Sequence, residues 1–365
     1  MNNLIQLSNI DCISLDDVVI NKSKNIYVFM KYYKMLNNHK NIIDDYSDDW
    51  DIYKKYMNPY ELIYSPYDRN TNTSKYKPVS RSFFKMWEIL NKFSIIKPDD
   101  SIIIANIAEG PGGFIEAIHK YKKHNSSDIY ISNTLYPSNR NIPSWNKLKK
   151  YINENNISNI KLLYCDLYNY ENVMEYISNF KDKKSMLVTG DGGFDYSNNF
   201  NKQEEQSQRI IYSEIIIALA IQEIGGSFIL KIFDTFTLFT LKYIYILSIF
   251  YETIQLYKPY TSRVANSEKY IICKGFKGIK DELLNKFLTS IRDFSDISVD
   301  ITNIKLPNDF IYEFDNYNKM FIDNQIDFIN KTLDVIKNKN NVNLDNIVKE
   351  QLSNAKEWCE NYNFK

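Results

Sequence analysis

Ile102-Ile-Ile-Ala-Asn-Ile-Ala-Glu-Gly-Pro-Gly-Gly-Phe-Ile-Glu-Ala-Ile-His-Lys120 joins a short β-branched run, a glycine-rich turn and the start of a helix. The run is of the buried-strand type. Gly110, Gly112 and Gly113 let the backbone turn tightly and let a ligand approach it without a Cβ in the way. Alternatively, the turn is only a tight connection. Amides at the start of the following helix favour an anionic group. Further buried-type strands are predicted at 129–132, 160–164, 186–189, 227–232 and 269–274, alternating with helices at 170–180, 204–222 and 238–251. That alternation predicts an α/β fold, a mostly parallel sheet wrapped by helices on both faces.

Upstream, Phe83, Phe84, Trp87, Leu90 and Phe93 share one helical face, so Lys85 lies near the start of a helix and off the centre of its stripe, with Pro98-Asp-Asp100 closing the helix. Residues 1–77 mix short apolar patches with Asn, Asp and Tyr and end in a polar loop at Ser65–Lys77; they are predicted to be an N-terminal extension. Residues 278–365 carry Leu283, Phe287 and Ile291, then Phe321, Ile326, Phe328, Ile329 and Leu333, and predict a helical appendage. The three parts are therefore 1–77, 78–277 and 278–365.

Lys and Arg together number 45, as do Asp and Glu, so net charge gives no argument for a nucleic-acid partner and any such partner needs a local basic face. Cys12, Cys165, Cys273 and Cys359 are far apart and form no ligand spacing with the three histidines. Neither a metal site nor a disulfide framework is expected, and a reducing intracellular compartment fits. Met1–Ile20 lacks a basic start and a sustained apolar run, so it is no secretory signal. Phe236–Tyr257, the most apolar stretch, is cut by Lys242 and Glu252 and is too short to cross a bilayer core of about 30 Å. No membrane partner is expected.

Four positions carry chemistry. Asp191, in Thr189-Gly-Asp-Gly-Gly-Phe194, follows a buried-type strand and holds a carboxylate at the mouth of the sheet, where α/β proteins bind ligands. Lys231 ends the apolar strand Phe228-Ile-Leu; such a lysine is commonly just solvated. Desolvated beside a second cation, it loses its proton near neutral pH and serves as a general base. Lys85 is expected to supply that cation, with Asp191 and Glu268 orienting the amines. Asp166, in Tyr-Cys-Asp-Leu, either accepts from a ligand's amino group or caps the next helix.

Taken in order, Lys85, Asp191, Lys231 and Glu268 resemble the Lys-Asp-Lys-Glu tetrad of the FtsJ/RrmJ family of S-adenosylmethionine (SAM)-dependent ribose 2′-O-methyltransferases. The likeness is closer to eukaryotic-type mRNA cap 2′-O-methyltransferases and their counterparts in large DNA viruses. It is carried by Asn58-Pro-Tyr-Glu61, Glu109-Gly-Pro-Gly-Gly-Phe114, Asp191-Gly-Gly-Phe194 followed by Asn201-Lys-Gln203, Lys231-Ile-Phe-Asp-Thr-Phe-Thr237, and Lys258-Pro-Tyr-Thr-Ser-Arg-Val-Ala-Asn-Ser-Glu-Lys-Tyr270.

The resemblance implies a Rossmann-like methyltransferase fold, with Lys231 as proton acceptor and Lys85, Asp191 and Glu268 completing the catalytic set. It implies SAM contacts at Ser80, Ala108, Glu109, Gly110, Pro111, Gly112, Gly113, Phe114, Asp166 and Leu167. It implies RNA contacts at Asn201, Lys202, Gln203 and Asn266, with Lys54 or Lys55 as cap-contact candidates. Thr134-Leu135 stands where the family's rRNA branch has an acidic residue, as in the cap enzymes. The expected substrate is the capped 5′ end of mRNA, methylated at its first transcribed nucleotide, in association with capping or transcription machinery. Ribose methylation of rRNA or tRNA, and a catalytically silent RNA-binding subunit on the same fold, are the alternatives.

Overall fold

The computed structural model describes residues 4–7, 17–64, 73–193, 200–294 and 299–364. Cys12, Phe194 and most of the Ser65–Lys77 loop lie outside the described residues. The strands are β1 (Leu4–Gln6), β2 (Ile20–Lys22), β3 (Ile103–Ile107), β4 (Ile129–Thr134), β5 (Ile160–Tyr164), β6 (Ser185–Gly190), β7 (Gln222–Ile232), β8 (Tyr251–Tyr257), β9 (Lys269–Phe276) and β10 (Val299–Ile301). The first six helices are α1 (Met30–Ile43), α2 (Ser47–Met57), α3 (Ser82–Phe93), α4 (Gly113–Tyr121), α5 (Asn146–Glu154) and α6 (Tyr170–Ser178). They are followed by α7 (Gln203–Ile221), α8 (Leu238–Phe250), α9 (Asp281–Asp293), α10 (Asn308–Lys337) and α11 (Leu344–Asn361).

Eight strands form one sheet in the order β1-β8-β9-β7-β6-β3-β4-β5, while β2 and β10 make a separate two-stranded ribbon. The block β7-β6-β3-β4-β5 is parallel. β9, β8 and β1 are added antiparallel. Alternation along the strands sorts the core into two layers. Ala105, Ile107, Val188, Phe228, Leu230 and Ile271 face a layer that includes α1, α7, α8, α9 and α10. Ile104, Leu187, Ile229, Tyr270 and Ile272 face one that includes α3, α4 and α11. The fold is thus α/β, with a mostly parallel sheet between helices and a helical C-terminal part, and residues 4–6 add an edge strand to that sheet.

Several elements depart from the sequence expectation. α3 ends at Phe93, with Ser94 in the left-handed region at φ 48°, well before Pro98. β7 starts directly after α7, and β8 directly after α8, with no turn residue between. Lys242, which interrupts the apolar stretch, is itself buried: its ammonium bonds Asp300 Oδ1 at 2.6 Å and the Ile301 carbonyl at 3.0 Å, which fixes the β2–β10 ribbon over α8. Among the described residues, no helix is long and apolar enough to cross a membrane.

Packing runs across the boundaries at 77 and 277. α10 lies on α1 and α2, and α11 on the turn at Glu61–Ile63. Gln351 on α11 donates to the carbonyls of Lys55, Tyr56 and Asn58 at 2.7–2.8 Å. Phe364 inserts among Phe83, Phe84 and Trp87 of α3, with ring centroids 5.3–5.7 Å away. Trp358 donates to Glu88 of the same helix at 2.9 Å. Removing the buried Phe364 ring leaves a void in this aromatic cluster, and Phe364→Ala is expected to cost about 3 kcal/mol in denaturant unfolding. A chain ended near Ile279 should be insoluble or melt far lower; unchanged melting with full activity would show that α10 and α11 do not buttress the sheet.

Candidate active site

Strand register gathers the four charged residues. Gly190 of β6 pairs with Leu230 of β7, so Asp191 leaves the sheet beside Lys231. Lys231 lies opposite Tyr270 of β9, and directly opposed residues share a face. Lys231 follows Ile229 by two and Glu268 precedes Tyr270 by two, so both turn towards α3, where Lys85 is the fourth residue.

The result is two ion pairs joined by one hydroxyl. Lys231 Nζ lies 3.1 Å from Asp191 Oδ1 and donates to the Asp191 carbonyl at 2.6 Å. Lys85 Nζ meets the two oxygens of Glu268 at 2.6 and 2.8 Å. The Tyr270 hydroxyl stands 3.4 Å from both Asp191 Oδ1 and Glu268 Oε1. Ser262 donates to Glu268 Oε1 at 3.2 Å, and Lys258 Nζ donates to the Glu268 carbonyl oxygen at 3.0 Å. A Cβ on Gly192 would fall 2.7 Å from Glu214 Oε1, which accepts the Gly192 amide at 2.8 Å, so the Asp191 turn rests directly on a buried carboxyl. Burial pushes that carboxyl up to about 8.

Electrostatics correct one expectation. Burial alone would lower the Lys231 ammonium, but the Asp191 and Glu268 charges outweigh it and raise its pKa above the ordinary lysine value. Lys85 does not counter this, because its ammonium is held by Glu268. Burial likewise pushes Glu268 up, and the Lys85 and Lys231 ammoniums overcome it and hold the carboxyl at about 2.

The glycine-rich turn lies at the carboxyl end of β3. The amides of Ala108, Glu109 and Gly110 are held by Asn133 Oδ1, the Asn133 carbonyl and Thr134 Oγ1 at 2.9–3.2 Å. Thr134 is therefore a support for the turn. Gly112 begins α4 at φ 112°, which favours glycine, and a Cβ on Gly113 would overlap the Ser80 and Ser82 hydroxyls. Ser80 thus borders the turn. Glu109 and Phe114 face inward: Glu109 Oε1 accepts the Phe114 amide at 2.8 Å, and the Phe114 ring packs 6.0 Å from that of Tyr270. This carboxyl, raised well above its ordinary value by burial and then by the Asp191 charge, takes one of the α4 amides expected to face an anion.

Asp166 is exposed just beyond β5, followed by the buried Leu167. The cap of α6 is Asn169, whose side chain accepts the Asn172 amide at 2.8 Å, while Asp166 accepts the Tyr168 amide at 2.9 Å in a local turn. The capping alternative for Asp166 is overturned, because Asn169 is at the α6 N-terminus and Asp166 is not. Asn201, Lys202 and Gln203 enter α7 beside α1, with Asn201 Nδ2 3.3 Å from Asn41 Oδ1. Asn266 is exposed two residues before Glu268. Lys54 is engaged by Asp51. The block at Asn58 is tied to the Glu268 loop: Arg263 forks onto Glu61 at 2.6 and 2.9 Å, and Asn58 donates to Glu61 at 2.9 Å.

Four supporting residues were given no individual role in the sequence reading: Tyr270, Ser262 and Lys258, all within the block at 258–270, and Glu214. The spacing of Tyr270 from Glu268 puts it on the same face, and Glu214 stands out as an acid inside the apolar run to Ile221. Glu268 contributes stability that is present above its unfolded pKa near 4.5 and lost as pH falls towards 2. Glu268→Gln should abolish that part of the acid dependence, worth up to about 3 kcal/mol. Urea midpoints between pH 2 and 7 test this, and parallel curves for the two proteins would contradict it.

Residues 78–276 match the FtsJ-like methyltransferase family. A cap-specific mRNA (nucleoside-2′-O-)-methyltransferase 1A from Caenorhabditis briggsae is 27% identical over 357 residues, covering 82% of this chain and 38% of that protein. A cap-specific mRNA (nucleoside-2′-O-)-methyltransferase 1 from Mus musculus is 30% identical over 280 residues, covering 71% and 33%. The chain thus spans little more than a third of the length of these relatives. Among solved structures, a putative ribosomal RNA methyltransferase from Plasmodium falciparum aligns with a TM-score of 0.42 at 20% identity, over 55% of this chain and 99% of that one. With the match running over more than half of its length, the chain belongs to the FtsJ-like methyltransferase family.

Proposed function

We propose that this protein transfers a methyl group from SAM to the ribose 2′-oxygen of the first transcribed nucleotide of capped mRNA. The observation that carries this reading is the paired set Lys85–Glu268 and Lys231–Asp191 around the Tyr270 hydroxyl. The names of the relatives, cap-specific mRNA (nucleoside-2′-O-)-methyltransferases, support the choice of substrate. In this reading residues 78–277 are the methyltransferase unit and the flanks hold it in shape. The capped end is handed on by capping or transcription machinery.

The residues present fit SAM: a turn without side chains at Gly110, Gly112 and Gly113, bordered by Ser80, and an exposed carboxylate at Asp166 above Leu167. Ala108 and Pro111 complete the turn, while Glu109 and Phe114 shape it from inside. When bound, SAM supplies an electrophilic methyl group on a cationic sulfur. Lys231 takes the hydroxyl proton as the ribose oxygen attacks, so it must first be a neutral amine. Asp191 holds that amine in place, and Lys85 and Glu268 hold the other side of the ribose. Asn201, Lys202, Gln203 and Asn266 contact the RNA. Alignment of the oxygen with the methyl lowers most of the barrier.

Lys231→Ala should lower the single-turnover rate by at least about a hundredfold and leave the calorimetric SAM Kd unchanged. Because Asp191 and Glu268 keep the ammonium protonated, the wild-type rate should climb with pH through neutrality, about tenfold per unit. A flat profile, or near-normal turnover in the variant, would remove Lys231 from the base role.

A short capped RNA should have a much higher kcat/KM than the same oligonucleotide with a 5′ triphosphate, because a chain of balanced charge cannot hold RNA by phosphates alone. Matched oligonucleotides provide the test. Equal values would sink the cap reading, and a preference for folded ribosomal fragments would promote rRNA methylation.

A further inference from the structure

A cavity of about 250 Å³ opens beside the catalytic tetrad, between the Lys258–Lys269 segment, the Pro59–Tyr60 corner, α10 and α11. Ser262 belongs to both places: it lines the cavity and donates to Glu268 Oε1 at 3.2 Å. The tetrad and the cavity are therefore one side chain apart.

Two ammonium groups lie in its wall, Lys258 at 8% and Lys269 at 3% exposure. Lys269 is compensated by Asp234 at 3.3 Å. Lys258 is not: among the described residues its Nζ bonds only the carbonyl oxygens of Asn266, at 2.5 Å, and Glu268, at 3.0 Å. Glu268 and Asp234, whose charges reach it, are paired with Lys85 and Lys269, and the exposed Glu350 also lines the cavity; burial and the Lys269 charge lower the Lys258 ammonium to about 7. A buried amine of this kind holds its charge at a cost, and an anionic ligand beside it favours the ammonium form. The same cavity is lined by Tyr60 and Tyr260, whose rings approach to 4.9 Å, and by Asn324 and Asn354 of the two C-terminal helices.

We propose that this cavity is the subsite for the nucleotide on the 3′ side of the target, with its phosphodiester against Lys258 and its base on the tyrosine rings. The assignment rests on the RNA reading above. One lysine without an ion-pair partner matches one phosphodiester, whereas a cap presents a triphosphate. Aromatic stacking accepts any base, and amide side chains offer both donors and acceptors, so the subsite holds RNA with little regard to sequence. α10 and α11 thereby take part in the substrate path as well as in the packing.

The test uses the full chain and capped RNAs of one, two and three transcribed nucleotides. Adding the second nucleotide should lower KM about tenfold, a gain made through one phosphate contact and one stacked base. Asn324→Asp combined with Asn354→Asp puts negative charge at the opening and should abolish that gain, leaving the one-nucleotide substrate and the SAM Kd unaffected. Persistence of the gain in the double variant, or equal losses on both substrates, would overturn the subsite. If the variant melts early, a neutral methylphosphonate at the linkage 3′ to the target, tested on the wild type, should raise KM by the same factor; no change overturns the proposal. Absence of transfer to any capped RNA would instead sink the methylation reading. The subsite is then judged by anisotropy with labelled uncapped RNA, where weaker binding by the double variant supports it and equal binding refutes it.

Discussion

One turn of α3 holds the loop between β8 and β9 at both ends. Lys85 pairs with Glu268 near the far end of the loop, and Glu88, three residues on and therefore on a neighbouring face, receives its beginning. The buried Glu88 carboxyl accepts from the Tyr257 hydroxyl, the amides of Tyr260 and Thr261, the Thr261 hydroxyl and the Trp358 indole. A buried carboxyl with this many donors is tolerable only as long as each stays in place, so the network specifies a single position for the loop. Glu268, Asn266, Ser262 and Lys258 all ride on that segment. The N-terminal part is fastened to it through Arg263 and Glu61, and α10 through Gln325, which donates to the Ala265 carbonyl at 2.5 Å.

The tetrad is balanced in charge, two ammoniums against two carboxylates, and this is what permits it to be mostly dehydrated. The same balance keeps Lys231 charged before substrate arrives. Around it lie buried carboxyls with no full charge partner. Glu214 is held at about 8, and Glu204, which accepts the amides of Phe236 and Thr237, is raised by burial to about 7. These groups fix the turns after β6 and β7 by accepting backbone amides.

Much of this was legible in the sequence. β3, the turn and α4 announce themselves because glycine and β-branched residues have few other uses in such an order. The positions of Asp191, Lys231 and Glu268 at strand ends followed from the same pattern. β8 was hidden because it continues α8 without any punctuation, and α1 and α2 because their apolar residues are sparse and bury only Tyr32, Leu36 and Trp50. Glu88 was invisible for a physical reason: an acid in a helix is ordinarily a solvated residue, and only tertiary packing brings donors to it. The titration of Lys231 was misread because the sequence shows which charges exist but not which two are close enough to pair.

Trp358 and Phe364 close onto α3 from the last turn of α11 and the residues just after it. During synthesis, then, the helix bearing Lys85 and the loop bearing Glu268 are both made long before the indole that completes the Glu88 network. A nascent chain with its whole sheet already translated still lacks the donor that locks this loop. Closure of this loop therefore depends on α11, which follows every strand of the sheet in the chain and carries none of the four tetrad residues.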